Sequence, residues 1–103
     1  MKVATLRTAH SDFDGVPITK NERMSSILMR HRSKIITGSF PRSQQIVADG
    51  LAPAVMVERD DAGELFVADG QGRVLSALWH DVEYIEAYVF SRPGTRVLPE
   101  APD

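Results

Sequence analysis

The stretch Ala68-Asp69-Gly70-Gln71-Gly72-Arg73 decides how this chain is read, because it joins an apolar strand to an amphipathic helix. Before it, Glu64-Leu65-Phe66-Val67-Ala68 is an apolar run of strand length; after it, Val74, Leu75 and Leu78 recur at helical spacing beside Ala77 and Trp79. Two glycines at the join let the backbone turn sharply and approach a ligand closely. The amides of a helix's first turn have no partner in the helical ladder, and the helix dipole adds partial positive charge there. Arg73 sits in that same turn. Together these features describe an anion site, best suited to phosphate. The plainer reading is a simple turn in which Asp69 or Gln71 serves only as a helix cap.

Working outward, the preceding residues Ala54–Arg59 form a second strand-like run, and Asp60-Asp61-Ala62-Gly63 between the two runs predicts a hairpin. The helix after the junction is expected to reach His80-Asp81. Tyr84–Phe90 then reads as a last strand, with Ile85, Ala87 and Val89 alternating against Tyr84, Glu86 and Tyr88. From Ser91 onward Pro93, Pro99, Pro102 and polar residues predict a loose tail over 91–103.

The first half of the chain is read in the same way. Val3 to Leu6, within Lys2–Thr8, is expected as an opening strand. His10-Ser11-Asp12-Phe13-Asp14-Gly15 is a turn-rich loop. Its His10, Asp12 and Asp14 are of the types that hold divalent ions, although aspartates in such loops more commonly make local turn bonds. Thr19-Lys20-Asn21-Glu22 fits a capping box and predicts a helix over 20–36 that stops before Gly38. Met24, Ile27, Leu28, His31 and Ile35 fall on its apolar stripe. Arg23, Arg30 and Lys34 line one flank, with Arg32 on the other side. That basic flank is either a solvated face or an edge facing phosphate or nucleic acid. A second helix is expected from Phe40-Pro41, with Ile46 and Val47 on its apolar side and Gly50 at its end. The order β-α-α-β-β-α-β predicts an α+β domain, a small mixed sheet with helices, over 1–90.

Composition narrows the classes. A chain of 103 residues is one domain and buries roughly 60–65% of its unfolded surface. The absence of cysteine removes disulfides, thiol nucleophiles and thiolate-held metals at once. No apolar run approaches the length of a membrane span and no secretory apolar segment opens the chain, so a cytoplasmic protein without membrane contact is expected. The net charge of −2 hides an asymmetry: residues 1–46 carry eight Lys/Arg against three Asp/Glu, and residues 47–103 carry four against eleven. The first half therefore either meets an anionic partner or attracts the second half.

Taken together, the parts from Ser43 to Phe90 resemble the ParB/sulfiredoxin superfamily. Ile46-Val47-Ala48-Asp49-Gly50-Leu51-Ala52-Pro53-Ala54-Val55 is similar to its passage of helix, Gly-Leu, x-Pro and strand. A hairpin then leads into a Gly-x-x-Arg loop and helix, and Ile85-Glu86-Ala87-Tyr88-Val89 matches the closing strand. The family loop differs by branch: Gly-Glu-Arg-Arg in the CTP- and magnesium-binding segregation proteins, Gly-Cys-His-Arg in the ATP-using sulfiredoxins, Asp-Gly-His-His-Arg in a free-serine kinase branch. This chain keeps the glycine and arginine shared by all, as Gly70 and Arg73, and the Asp-Gly of the kinase branch.

The resemblance implies that Gly70 and the amides of Gln71 and Gly72 cradle the phosphates of ATP or CTP, with Arg73 adding a charge-assisted contact. Asp69 would be the ligand of a magnesium ion or the general base of a phosphotransferase or nucleoside triphosphate hydrolase, a chemistry made mostly of positioning and charge neutralisation. Glu22 is a second catalytic candidate, with Asp12 and Asp14 beside it, and Arg23, Arg30 and Lys34 would complete a cationic surround. The departures are as informative. Gln71 stands where sulfiredoxins carry the reactive cysteine, which excludes their chemistry, and where the segregation proteins carry a glutamate. Gly72 replaces a His or Arg, and the chain has no room for a DNA-reading helix-turn-helix after the domain. The alternative is therefore a non-catalytic module that kept the fold and contacts nucleic acid or an acidic protein through helix 20–36. Trp79 and Tyr88 are either core residues or a homodimer contact.

Overall fold

The hairpin forms where alternating valines and an aspartate-led turn predict it. In the computed structural model, which describes residues 1–11, 18, 22–30, 32 and 54–100, strand β1 runs Val55–Arg59 and strand β2 runs Leu65–Asp69. They pair antiparallel with Val57 opposite Val67, Glu58 opposite Phe66 and Arg59 opposite Leu65, and a bulge between Met56 and Val57 brings Met56 opposite Asp69. The turn is organised by the buried Asp60, whose Oδ1 accepts the amides of Ala62 and Glu64, each at 3.0 Å. Gly63 takes the left-handed conformation, with φ +83°, that closes the turn.

From β2 the chain enters helix α2, Gln71–Trp79, crosses the sheet and returns as strand β3, Ala87–Ser91. β3 lies parallel to β1 and on its far side, so the strand order is β2-β1-β3 and the sheet is mixed. A parallel neighbour needs a crossover, and α2 supplies it. α2 packs against β1, against helix α1 (Met24–Arg30) and against a 3-10 helix over Val3–Thr8. Val74, Leu75, Ala77 and Leu78 of α2 meet Met24, Ile27 and Leu28 of α1, with Val55, Val57 and Val67 of the sheet in the same buried cluster. Each large side chain so buried contributes about 1.5–3 kcal/mol. The result is a small α+β domain. Among the described residues no helix is long and apolar enough to cross a membrane.

Three expectations need correction. The opening segment is a 3-10 helix and not a strand: Val3 and Leu6, three residues apart, are its buried residues. That spacing matches the three-residue turn of this helix and breaks the two-residue period of a strand. α1 begins at Met24, so Glu22 and Arg23 are not helical. Arg23 instead forms an antiparallel bridge with His10, and the Met24 amide donates to Ala9 O at 2.8 Å, so tertiary pairing overrides the local capping signal. The segment after Ser91 is tied to the hairpin: the Arg92 amide donates to Arg59 O at 2.9 Å, the Gly94 amide to Asp61 Oδ2 at 2.6 Å and the Arg96 amide to Asp60 Oδ2 at 3.2 Å. Residues 92–96, with Pro93 among them, form a strap on the hairpin, since Arg59 O and the turn carboxylates supply acceptors for its amides. Asp12, Asp14, the cap at Thr19, His31, Lys34 and the expected helix from Pro41 lie outside the described residues.

Candidate functional site

The junction assembles as a glycine-centred turn with an arginine folded across it. Gly70 precedes α2 in the left-handed conformation (φ +92°, ψ 25°) and provides no side-chain cap; the first turn of α2 contains no acidic residue. The ladder of α2 starts with the Val74 amide donating to Gly70 O at 3.0 Å, so the amides of residues 71–73 lie ahead of it. A Cβ at Gly70 would stand 2.6 Å from Val55 Cγ1 and 2.9 Å from Arg73 Nη2. Gly70 is thus required twice, by its backbone angle and by the guanidinium and valine packed on it. Around Gly72 a Cβ would meet nothing within 4 Å.

Arg73 is held from two sides. Its Nη1 donates to Ala54 O at 3.2 Å, and its Nη2 lies 3.5 Å from Asp69 Oδ2. The arginine side chain is only 20% exposed, while that of Asp69 is 68% exposed. Gln71 turns back toward the strand, its Nε2 donating to Val67 O at 3.2 Å. Asp69, Gly70, Gln71, Gly72 and Arg73 therefore lie together at one turn between β2 and α2.

Glu22, Arg23 and Arg30 belong to a different group. Arg23 Nη1 donates to Thr8 O at 2.6 Å and to Glu64 Oε2 at 3.1 Å. Arg30 Nη2 pairs with Glu22 Oε1 at 2.6 Å. The buried His10 ties these together: its Nδ1 faces Glu22 O and its Nε2 faces Glu64 Oε2, both at 3.2 Å. Glu64 stands just before β2 and Asp69 ends it, so at the usual rise per residue the two groups lie roughly 17 Å apart along the strand. The structure does not bring Arg23 or Glu22 to the Gly70 turn, and it gives each arginine of this group a carboxylate partner.

A third polar group was not foreseen from the residues alone. Glu58 is buried within β1, and Arg96 Nη2 reaches its Oε2 at 2.6 Å, with Arg92 Nη1 3.8 Å from Oε1. The Arg96 guanidinium lies 4.6 Å from the centroid of the Phe66 ring, on which His10 also stacks at 5.1 Å. The signal for it was Glu58 itself: a carboxylate buried in a strand needs a cation.

Hollows also lie among the described residues. One of about 450 Å³ lies between the 3-10 helix and the end of α2, with Lys2, Arg7, Asp81 and Glu83 at its rim. Another, of about 320 Å³, is lined by Met1, Ala54, Glu86, Ala87 and Tyr88, and so reaches the residue whose carbonyl holds Arg73. Among the described residues no group of three or more His, Asp or Glu side chains is arranged to hold a metal ion. Asp69 offers a single exposed carboxylate, which suits magnesium only if phosphate oxygens and water supply the other ligands. In comparison with known proteins, the chain matches no family model, no curated protein and no solved structure.

Proposed function

We propose that this chain is a ParB/sulfiredoxin-like domain that binds the phosphates of a nucleoside triphosphate, ATP or CTP, at Asp69–Arg73. The observation that carries the reading is the left-handed Gly70, with the Arg73 guanidinium against it, opening a helix that has neither an acidic first turn nor a side-chain cap. Helix dipole, glycine backbone and guanidinium all favour an anion at one place. The Arg73–Asp69 contact is long at 3.5 Å and one partner is largely exposed, so it holds the arginine weakly. A phosphate offers that guanidinium stronger, bidentate bonds. Release from Arg73 would leave the Asp69 carboxylate able to hold magnesium against the phosphates; the ion would supply charge neutralisation. In phosphoryl transfer or hydrolysis, Asp69 would otherwise act as the general base.

A second reading is favoured by one observation. Arg73 and Gln71 already bond to Ala54 O and Val67 O, a state that a module without chemistry has no reason to leave. Such a module would contact nucleic acid or an acidic protein through the region of Arg23 and Arg30. The partner would have to displace Glu64 and Glu22 from those arginines.

Calorimetry and thermal unfolding with ATP or CTP and magnesium separate the two. Ligand at a hundred times its dissociation constant stabilises by about 2.7 kcal/mol, which raises the melting temperature by about 10 °C or more in a domain of this size. Arg73→Ala is expected to abolish that shift. Equal affinity in wild type and variant removes Arg73 from the site. No shift with either nucleotide, together with DNA binding that weakens steeply with salt, selects the second reading.

A further inference from the structure

We propose that His10 is a pH-sensitive clasp: the fold holds it as the doubly protonated imidazolium, and losing a proton loosens the joint between the entry to α1 and the start of β2. The proposal is independent of the nucleotide reading.

Both nitrogens of this ring face acceptors. Nδ1 lies 3.2 Å from Glu22 O, and Nε2 lies 3.2 Å from Glu64 Oε2. A carbonyl oxygen and an ionised carboxylate accept hydrogen bonds and donate none. A neutral imidazole carries one N–H and one lone pair, so either tautomer turns a lone pair onto one of these oxygens. Only the imidazolium donates to both. The ring is 2% exposed, and a buried polar atom left without its bond costs more than the bond contributes net.

The charged groups around the ring divide in sign. Glu64, just before β2, favours the cation, and Arg23, just before α1, opposes it. Arg23 Nη1 donates to the same Glu64 Oε2 at 3.1 Å and to Thr8 O at 2.6 Å. The carboxylate thus stands between two donors and accepts from each. The neighbouring charges have partners of their own. Glu22 Oε1 pairs with Arg30 Nη2 at 2.6 Å. Arg96, which shares the Phe66 ring with His10, pairs with Glu58 Oε2 at 2.6 Å.

His10 also sits where separate stretches of chain meet. Its amide donates to Leu65 O and its carbonyl accepts the Val67 amide, each at 2.9 Å, which fixes it to β2. Its bridge to Arg23, and the Met24 amide donating to Ala9 O at 2.8 Å, fix the same segment to the entry of α1. A deprotonated ring keeps only one of its two side-chain bonds. Whether it keeps Glu22 or Glu64, the link through the imidazole is cut, and Arg23 alone still joins the two sides. Bonds made only by the protonated ring contribute at the acid end and are lost as pH rises.

Chemical unfolding of the full chain between about pH 5 and about pH 8, the range in which histidine switches charge, tests this. Across that range the folding equilibrium constant of the wild type is expected to fall by about tenfold or more relative to that of His10→Gln, the loss of one charge-assisted bond. Glu64→Gln is the sharper variant. Its amide keeps an oxygen for Arg23 and offers Nε2 a donor, so a neutral His10 has both nitrogens satisfied. Its pH dependence should match that of His10→Gln, with the fold retained by circular dichroism. Nitrogen NMR of the histidine rings at about pH 5 should find a proton on each nitrogen of His10. Parallel pH curves for wild type and Glu64→Gln overturn the proposal. So does a His10 ring that carries a single proton at the acid end.

Discussion

Substituting alanine at three glycines separates backbone strain from steric conflict at the Gly70 turn. Gly70 has φ +92° and its missing Cβ would lie 2.6 Å from Val55 Cγ1; Gly63 has φ +83° with open space; Gly72 is helical with open space. An alanine forced into the left-handed region costs about 1–2 kcal/mol. Pushing the buried Val55 aside adds about 1–3 kcal/mol, the usual cost of overpacking a core. Gly63→Ala therefore loses about 1–2 kcal/mol, and Gly70→Ala about 2–5 kcal/mol. Gly72→Ala gains about 0.5–1 kcal/mol from helix propensity. These are measured by urea unfolding at fixed slope. With a slope of about 1.5 kcal/mol/M, a loss of 3 kcal/mol lowers the midpoint by about 2 M for Gly70→Ala. Equal losses at Gly70 and Gly63 would show that Val55 and Arg73 do not crowd the turn. A Gly70→Ala midpoint within error of wild type would refute the left-handed turn itself, and with it the local geometry on which the proposed phosphate binding rests.

Two further perturbations probe the other corrected or unforeseen features. Arg96→Ala removes the near partner of the Glu58 carboxylate and its own contact with the Phe66 ring. It should cost about 2–4 kcal/mol in denaturant unfolding, and Glu58→Leu in the same chain should recover most of that loss, because removing both charges leaves no unpaired one. In the opening 3-10 helix, Leu6→Ala should cost about 2–5 kcal/mol, whereas Thr5→Ala and Arg7→Ala should stay within about 0.5 kcal/mol. Large effects at Thr5 and Arg7 would restore the strand reading of that segment.

What could be read directly is what short segments decide for themselves. The hairpin follows from valines at alternate positions and from Asp60 and Gly63, whose turn bonds span at most four residues. The Gly70 turn, α2 and the grouping of Asp69 with Arg73 follow from neighbours within one helical turn. The 3-10 helix over Val3–Thr8 is also local: the three-residue spacing of Val3 and Leu6 fits its turn and contradicts a strand period. The segment after Ser91 differs from a loose tail for another reason. Its proline content describes the chain's own stiffness, while its order comes from Asp60 and Asp61, more than thirty residues earlier.

Only the folded chain decided the rest. The placement of β3 beside β1, the ion pair of Glu58 with Arg96, and the contact of His10 with Glu64 across 54 residues all depend on how the crossover of α2 packs on the sheet. The family resemblance would bring Arg23, Arg30 and Glu22 to the proposed phosphate site, but packing sets them in a separate group at the far end of β2 and gives each a partner. The sequence by itself determined the hairpin, the glycine turn at Gly70 and the helix after it, because backbone angles and short-range hydrogen bonds act within a few residues. Tertiary structure decided which charges meet, because Coulomb attraction and burial depend on distance in space and not along the chain.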